Sequence, residues 1–194
     1  ELRETRGDDH IRIIAIGTLS DRKDFSTLLQ AIVFLRKTTE CTCLILGEGP
    51  LLSELKGERR RLGLENVVTF LGYQSDVESY LDASDVFVSS SLSEGHGLVL
   101  VQAMARGIPV VATDCPYGPR ETLDEGRLGE LVPVKAPELM AEAISRAVAN
   151  PPSVSELVDR ARIYAPEAAA QAYVDFFEGL LTAGISIVDS PGDR

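Results

Sequence analysis

The sequence predicts an α/β fold: a parallel sheet of about six strands with helices on both faces. Three observations predict it. Apolar, β-branched runs recur along the chain and close at glycine or small polar residues, as strands buried on both faces do. Most of these runs are separated by segments with apolar residues at helical spacing, and strand–helix–strand alternation makes successive strands parallel. Finally, 44% of the 194 residues are hydrophobic, enough to fill a core and to exclude the disordered class.

The elements follow in order. The charged opening "ELRETRGDDH" leads straight into a strand, so residues 1–9 read as a linker or a cut boundary. "IRIIAIG" is the first strand, closed by Gly17, and "DFSTLLQAIVFLRKT" the first helix. "CTCLILG" is the second strand; "PLLSELKGERRRLGL" is the second helix, with Pro50 suited to its first turn. "VVTFLG", the short helix "DVESYLDAS" and the strand "DVFVSS" come next. "GLVLVQAMARG" is a helix apolar nearly all round and closed by Gly107, which places Gln102 in a largely buried setting. "IPVVATD" and "GELVPV" complete the strands. Three amphipathic helices follow, "APELMAEAISRAVAN", "SVSELVDRARIYA" and "PEAAAQAYVDFFEGLL", suited to the sheet edge or a neighbouring domain. The final "DSPGDR" belongs to a tail over 183–194.

Charge narrows the function. With 19 basic against 30 acidic residues the net charge is -11, which repels nucleic-acid backbones and anionic lipid heads. A local anion site remains compatible, because placed donors rather than net charge make one. Cys41 and Cys43 share one face of their strand, and with Cys115 they read as small buried thiols of a reducing compartment. No Cys or His pairs stand at metal-ligand spacing. No secretory signal heads the chain, and no apolar run approaches the ~18 residues of a membrane span.

In open parallel sheets ligands bind beyond the carboxyl ends of the strands. The loops there are "GTLSDRKDF", "GEGP", "GYQSD", "SSLSEGHG" and "TDCPYGPRE", in which glycine recurs among Ser, Thr, Lys and Glu. Gly95 and Gly97 lie where the fourth strand's loop enters a helix. They serve either a tight turn or the close approach of an anion to unpaired helix N–H groups. Lys23 could neutralise a phosphate over the same crevice, or be solvated beside Asp21 and Asp24. His96 is open as an acid, a ligand or a polar lid residue. A buried Gln102 needs a partner, because an unpartnered amide costs roughly 1–3 kcal/mol; that partner is a polar element or a ligand.

Taken as a set these segments resemble the nucleotide-sugar-binding half of the family 4 retaining glycosyltransferases, which have the two-domain GT-B fold. "IGTLSDRKDFSTLLQA", "LILGEGPLLSEL", "VVTFLGY", "GELVP" and above all "ASDVFVSSSLSEGHGLVLVQAMARGIPVVATD" carry the resemblance, from about His10 to Leu181. It implies a Rossmann-like three-layer α/β/α domain over 10–165. A helix over 166–182 would pack on this domain or on an N-terminal domain outside this chain. The implied activity is transfer of a hexose or N-acetylhexosamine from a nucleoside-diphosphate sugar, UDP or GDP in type, to a glycan or lipid-linked acceptor. No metal is obligatory, in agreement with the lack of an Asp-x-Asp pair at a strand end.

The resemblance also assigns roles. Lys23 and Glu94 are the catalytic pair: Lys23 contacts the donor diphosphate, and Glu94 lies near the sugar hydroxyls. Gly97, Leu98 and Val99 hold the distal phosphate, with Gly17, Thr18, Gly95 and His96 around them. Glu48, Gly49, Pro50, Gly72 and Tyr73 wall the base pocket, and Gln102 falls at the ribose hydroxyls. Two positions depart from the family pattern. Gln102 replaces a glutamate that accepts from both ribose hydroxyls, and Thr18 replaces an arginine of the first loop. The alternative is therefore a catalytically impaired nucleotide-sugar-binding module acting as scaffold or sensor. A receiver-type signalling domain fits poorly, since Asp8 and Asp9 precede the first strand and Asp76 lies on the helix side. The resemblance further implies a cytoplasmic protein, compatible with a peripheral seat at the inner membrane face. The acceptor would bind the N-terminal domain, so this chain would be inactive alone.

Overall fold

The computed structural model describes residues 10–95 and 97–182. Six strands form one sheet: β1 (His10–Ile16), β2 (Glu40–Leu46), β3 (Val68–Gly72), β4 (Val86–Ser89), β5 (Val110–Thr113) and β6 (Glu130–Val132). All pairings are parallel and the order across the sheet is β3-β2-β1-β4-β5-β6. The expected parallel α/β class is therefore what the chain adopts. The helices are α1 (Phe25–Leu35), α2 (Leu52–Arg61), α3 (Val77–Asp82), α4 (Leu98–Ala105), α5 (Pro119–Thr122), α6 (Pro137–Ala149), α7 (Val154–Arg162) and α8 (Pro166–Thr182). The four-residue α5 was not expected; it is too short to show a helical period, and Pro119 at its start fixes the entry.

Side-chain alternation divides the core into two layers. Ile11, Ile13 and Ala15 of β1, Cys41, Cys43 and Ile45 of β2, and Val86 and Val88 of β4 point to one side. There they meet Leu28, Leu29 and Ile32 of α1 and Met140, Ala143 and Ile144 of α6. Ile14, Phe87, Val110 and Ala112 point to the other side, against Leu100, Ala103 and Met104 of α4 and Leu157 of α7. The two cysteines of β2 thus share a face, as their spacing requires, and all three thiols are free and buried. Sheet burial on both faces explains why the strands read as continuous apolar runs.

The helix ends are built locally. Ser153 and Glu156 form a capping box at the start of α7: the Ser153 hydroxyl accepts from the Glu156 N–H, and the Glu156 carboxylate accepts from the Ser153 N–H at 3.2 Å. Asp76 caps α3 by accepting from the Ser79 N–H at 3.1 Å. Pro50 lies in the turn ahead of α2 rather than inside its first turn.

One expectation is corrected here. Gln102 is exposed, not buried. The face of α4 that enters the core is Leu100, Ala103 and Met104, so Leu98, Gln102 and Ala105 fall on the opposite side at helical spacing. An apolar residue there, Leu98, is 63% exposed, and an all-apolar composition could not distinguish the two faces. Helix α8 buries none of its residues, and Tyr173, Phe176, Phe177 and Leu181 stand in the open. Residues 1–9 and the tail over 183–194 lie outside the described residues.

Candidate functional site

The strand order places a switch point between β1 and β4. From β1 the chain runs outward through β2 to β3, and from β4 it runs the other way through β5 to β6. The loops leaving the carboxyl ends of β1 and β4 therefore stand at the usual ligand position of this topology. These are the loops that carry Lys23 and Glu94.

The loops are fastened together. The first makes a single 3-10 turn over Asp21–Lys23. The Arg22 carbonyl accepts from the Leu92 N–H at 2.8 Å, and the Lys23 carbonyl accepts from the Ser90 hydroxyl at 2.8 Å. The Ser91 carbonyl accepts from the Thr113 hydroxyl at 2.5 Å, and the Glu94 N–H donates to the Pro116 carbonyl at 3.3 Å, which links the β5 loop as well. Ser89, Ser90 and Ser91 are buried, so a run that looks like a surface loop in the sequence is an internal polar tie.

At its centre lies Glu94, only 8% exposed. One carboxylate oxygen accepts from Lys23 Nζ at 2.5 Å and from the Ser91 hydroxyl at 2.6 Å. The other is 3.4 Å from Arg22 Nη1, which also donates to the Ser93 carbonyl at 3.3 Å. Two cations therefore face one buried carboxylate. Gly17 leaves room for the lysine stem, since a Cβ there would stand 3.1 Å from Lys23 Cε. The lysine stem lies across the bare glycine, and its ammonium is held by Glu94, with the side chain only 14% exposed.

Three residues beyond Glu94, Gly97 opens α4 with φ 65°, and no side chain of the described residues caps the helix. The N–H groups of Leu98 and Val99 have no intrahelical carbonyl available and carry partial positive charge, while the Leu100 N–H donates to the Gly97 carbonyl at 2.8 Å. Lys23, Arg22 and this helix end form a cationic seat on a protein whose net charge is -11. Gly95 is exposed beside it, and Thr18 is exposed on the first loop. His96 lies outside the described residues.

A second wall is formed by the loops after β2 and β3. Gly47 has φ 127°, and its N–H donates to the Gly72 carbonyl at 2.8 Å. A Cβ on Gly47 would lie 2.0 Å from the Gly17 carbonyl oxygen, and one on Gly49 would lie 2.4–2.7 Å from the Leu19 backbone. The Leu19 N–H donates to the Glu48 carbonyl at 2.9 Å. Glu48 extends its carboxylate to 3.6 Å from where a Cβ on Gly72 would be. Glu48 and Pro50 are exposed, as is Tyr73, at 73%. The structure thus joins Gly17, Glu48, Gly49 and Gly72 in one backbone junction, with Tyr73 at its rim.

On the far side, the β5 loop frames an open hollow of about 500 Å³ lined by Asp114, Pro116, Tyr117, Gly118 and Arg120. Arg120 is paired with both Asp114 and Glu125. Tyr117 projects with φ 64° and is 81% exposed. Sequence reasoning missed Arg22, Ser91 and Tyr117. Arg22 sits between Asp21 and Lys23 in a stretch that reads as solvated charge, and no local spacing points it at residue 94. Among the described residues no group of His, Cys, Asp or Glu is arranged to hold a metal ion.

The chain is similar to known proteins over most of its length. The sequence profile of the glycosyl transferases group 1 family matches residues 3–166. The chain is 32% identical over 148 residues to the lipopolysaccharide core biosynthesis glycosyltransferase LpsE of Rhizobium meliloti, covering 76% of this chain and 42% of LpsE. It is 27% identical over 170 residues to an uncharacterized glycosyltransferase of Haemophilus influenzae, covering 87% of this chain and 48% of that protein. Among solved structures, a variant of TarM from S. aureus, in a complex that includes UDP, superposes with a TM-score of 0.76 at 26% identity, covering 88% of this chain and 36% of TarM. HepE of Anabaena, solved with UDP-glucose, gives 0.73 at 25% identity, covering 89% and 49%. The chain spans about half, or less, of the length of these relatives.

Proposed function

This chain belongs to the glycosyl transferases group 1 family and has the Rossmann-like fold of GT-B glycosyltransferases, and we propose that it is the donor-binding half of a retaining enzyme of that kind. It takes a nucleoside-diphosphate sugar, of UDP type, and its donor sugar is a hexose or N-acetylhexosamine. One observation carries the proposal: a cationic seat at the β1/β4 switch point, made by Lys23, Arg22 and the open start of α4, and fixed from beneath by buried Glu94. UDP in the TarM complex and UDP-glucose in the HepE complex support the choice of nucleotide.

The chemistry follows from charge. When the sugar–phosphate bond breaks, negative charge develops on the departing diphosphate. Lys23 and the first-turn amides of α4 are preorganised donors for it, which favours the transition state over the bound donor. No metal is needed for that stabilisation. Glu94, freed in part from Lys23 as the diphosphate arrives, can accept from donor-sugar hydroxyls. Glu48, Gly49, Pro50, Gly72 and Tyr73 wall the base pocket, and exposed Gln102 accepts from a ribose hydroxyl on the open side of α4. The acceptor, a glycan or a lipid-linked sugar, binds a further domain, on which the exposed apolar face of α8 docks. This chain alone is then inactive but binds nucleotide. No described helix is long and apolar enough to cross a membrane; a cytoplasmic site of action, peripheral at the membrane, belongs to the same proposal.

Calorimetric titration with UDP, GDP and ADP tests the reading. Binding of UDP is expected, and no heat with any of the three at millimolar ligand would sink it. A second reading, an impaired binding module, is favoured by Thr18 and Gln102. Sugar transfer by the full-length protein with both residues in place excludes it.

A further inference from the structure

We infer that Arg22 is a diphosphate-binding residue and supplies the second side-chain cation of the seat. The inference rests on the nucleotide-sugar reading above.

The geometry of the Glu94 cluster points to it. Glu94 carries one negative charge, and Lys23 at 2.5 Å already answers it. Arg22 adds a second positive charge, so the cluster keeps a surplus of one at the mouth of the crevice. The Arg22 contact is also loose. Its single engaged nitrogen, Nη1, stands 3.4 Å from the carboxylate and 3.3 Å from the Ser93 carbonyl, beyond the 2.7–2.9 Å usual for a charged pair. Its Nε and Nη2 have no hydrogen-bond partner among the described residues. The side chain is 51% exposed, whereas Lys23 is 14% exposed and Glu94 5%. A half-exposed, long contact of this kind contributes little to stability.

The backbone nevertheless fixes where Arg22 starts. Its carbonyl is tied to the Leu92 N–H, and the next residue's carbonyl is tied to Ser90. The guanidinium is thereby held against the loop that runs into Gly97, with a planar fork of donors unspent. Such a fork suits two oxygens of a phosphate. Position 18, on the same loop, holds an exposed threonine that can bring no charge. Arg22 supplies that charge from four residues further on.

The test uses the full-length protein, titrated with UDP, UMP and uridine. Wild type is expected to prefer UDP over uridine strongly. R22Q should lower UDP affinity about tenfold, the effect of one charge-assisted hydrogen bond, while uridine affinity and the thermal midpoint stay unchanged. R22K should recover part of the loss, and T18R placed in the R22Q background should recover most of it. An unchanged UDP-to-uridine ratio in R22Q would overturn the inference, as would an equal loss for uridine. If wild type binds neither UDP nor any other nucleoside diphosphate, the nucleotide reading itself fails, a result distinct from wild-type binding that R22Q leaves intact.

Discussion

Three glycines offer substitutions with opposite expected signs. Gly47→Ala places a methyl group 2.0 Å from the Gly17 carbonyl oxygen, where contacts under 3.0 Å are essentially never found, and does so at φ 127°. The backbone conformation alone costs an alanine about 1–3 kcal/mol. Relieving the overlap means separating the first and second loops, with loss of one or two hydrogen bonds worth about 1 kcal/mol each. Those at stake are Gly17 N–H to Leu46 carbonyl at 2.9 Å and Leu19 N–H to Glu48 carbonyl at 2.9 Å. The expected loss is therefore about 2–5 kcal/mol. Gly49→Ala meets the Leu19 backbone at 2.4–2.7 Å without a positive φ, so only the overpacking and hydrogen-bond parts apply, about 2–4 kcal/mol. Gly57→Ala, inside α2 with nothing within 4 Å of the new Cβ, should instead gain about 0.5–1 kcal/mol. Urea unfolding followed by far-ultraviolet circular dichroism reads all three. A Gly47→Ala protein within about 0.5 kcal/mol of wild type, or a Gly57→Ala protein less stable than Gly49→Ala, would refute the reasoning.

Other outcomes follow from burial and caps. Burial pushes the Cys41 thiol up to about 11 against the opposing pull of Arg36, and raises Cys43 and Cys115 as well; the native protein should resist thiol-reactive dyes at pH 8, and unfolding should expose three equivalents. Ser153→Ala removes the α7 cap and should lower stability by about 1 kcal/mol in the same urea assay. The Glu156 carboxylate is held below its ordinary 4.5 by hydrogen bonds from Ser153. Its folded-state value is depressed, so its contribution is present above 4.5 and is lost as pH falls through the folded value. Glu156→Gln should therefore flatten the acid limb of the stability profile, and an unchanged slope there would exclude this linkage.

The class of fold was legible in the chain, as was the candidacy of Lys23 and Glu94. The apolar runs from Ile11 to Ile16 and from Cys41 to Leu46 are continuous because both faces of the sheet are covered, and that is a local signal. Gly97 ahead of an apolar helix and Lys23 near a glycine-closed strand are local features with two readings each, and the resemblance to the family singled out Lys23 and Glu94. Tertiary structure decided the rest. Lys23 and Glu94 are 71 positions apart, and they meet because β1 and β4 are neighbours at the switch point. No residue near either one encodes that adjacency, which is set by how the two helical layers cover the sheet. Arg22 joined the site through the same crossing. Gln102 was misplaced because α4 is apolar nearly all round, so only packing against β5 and α7 selects the buried face. Which way a uniformly apolar helix turns is decided by its neighbours, and those come from distant parts of the chain.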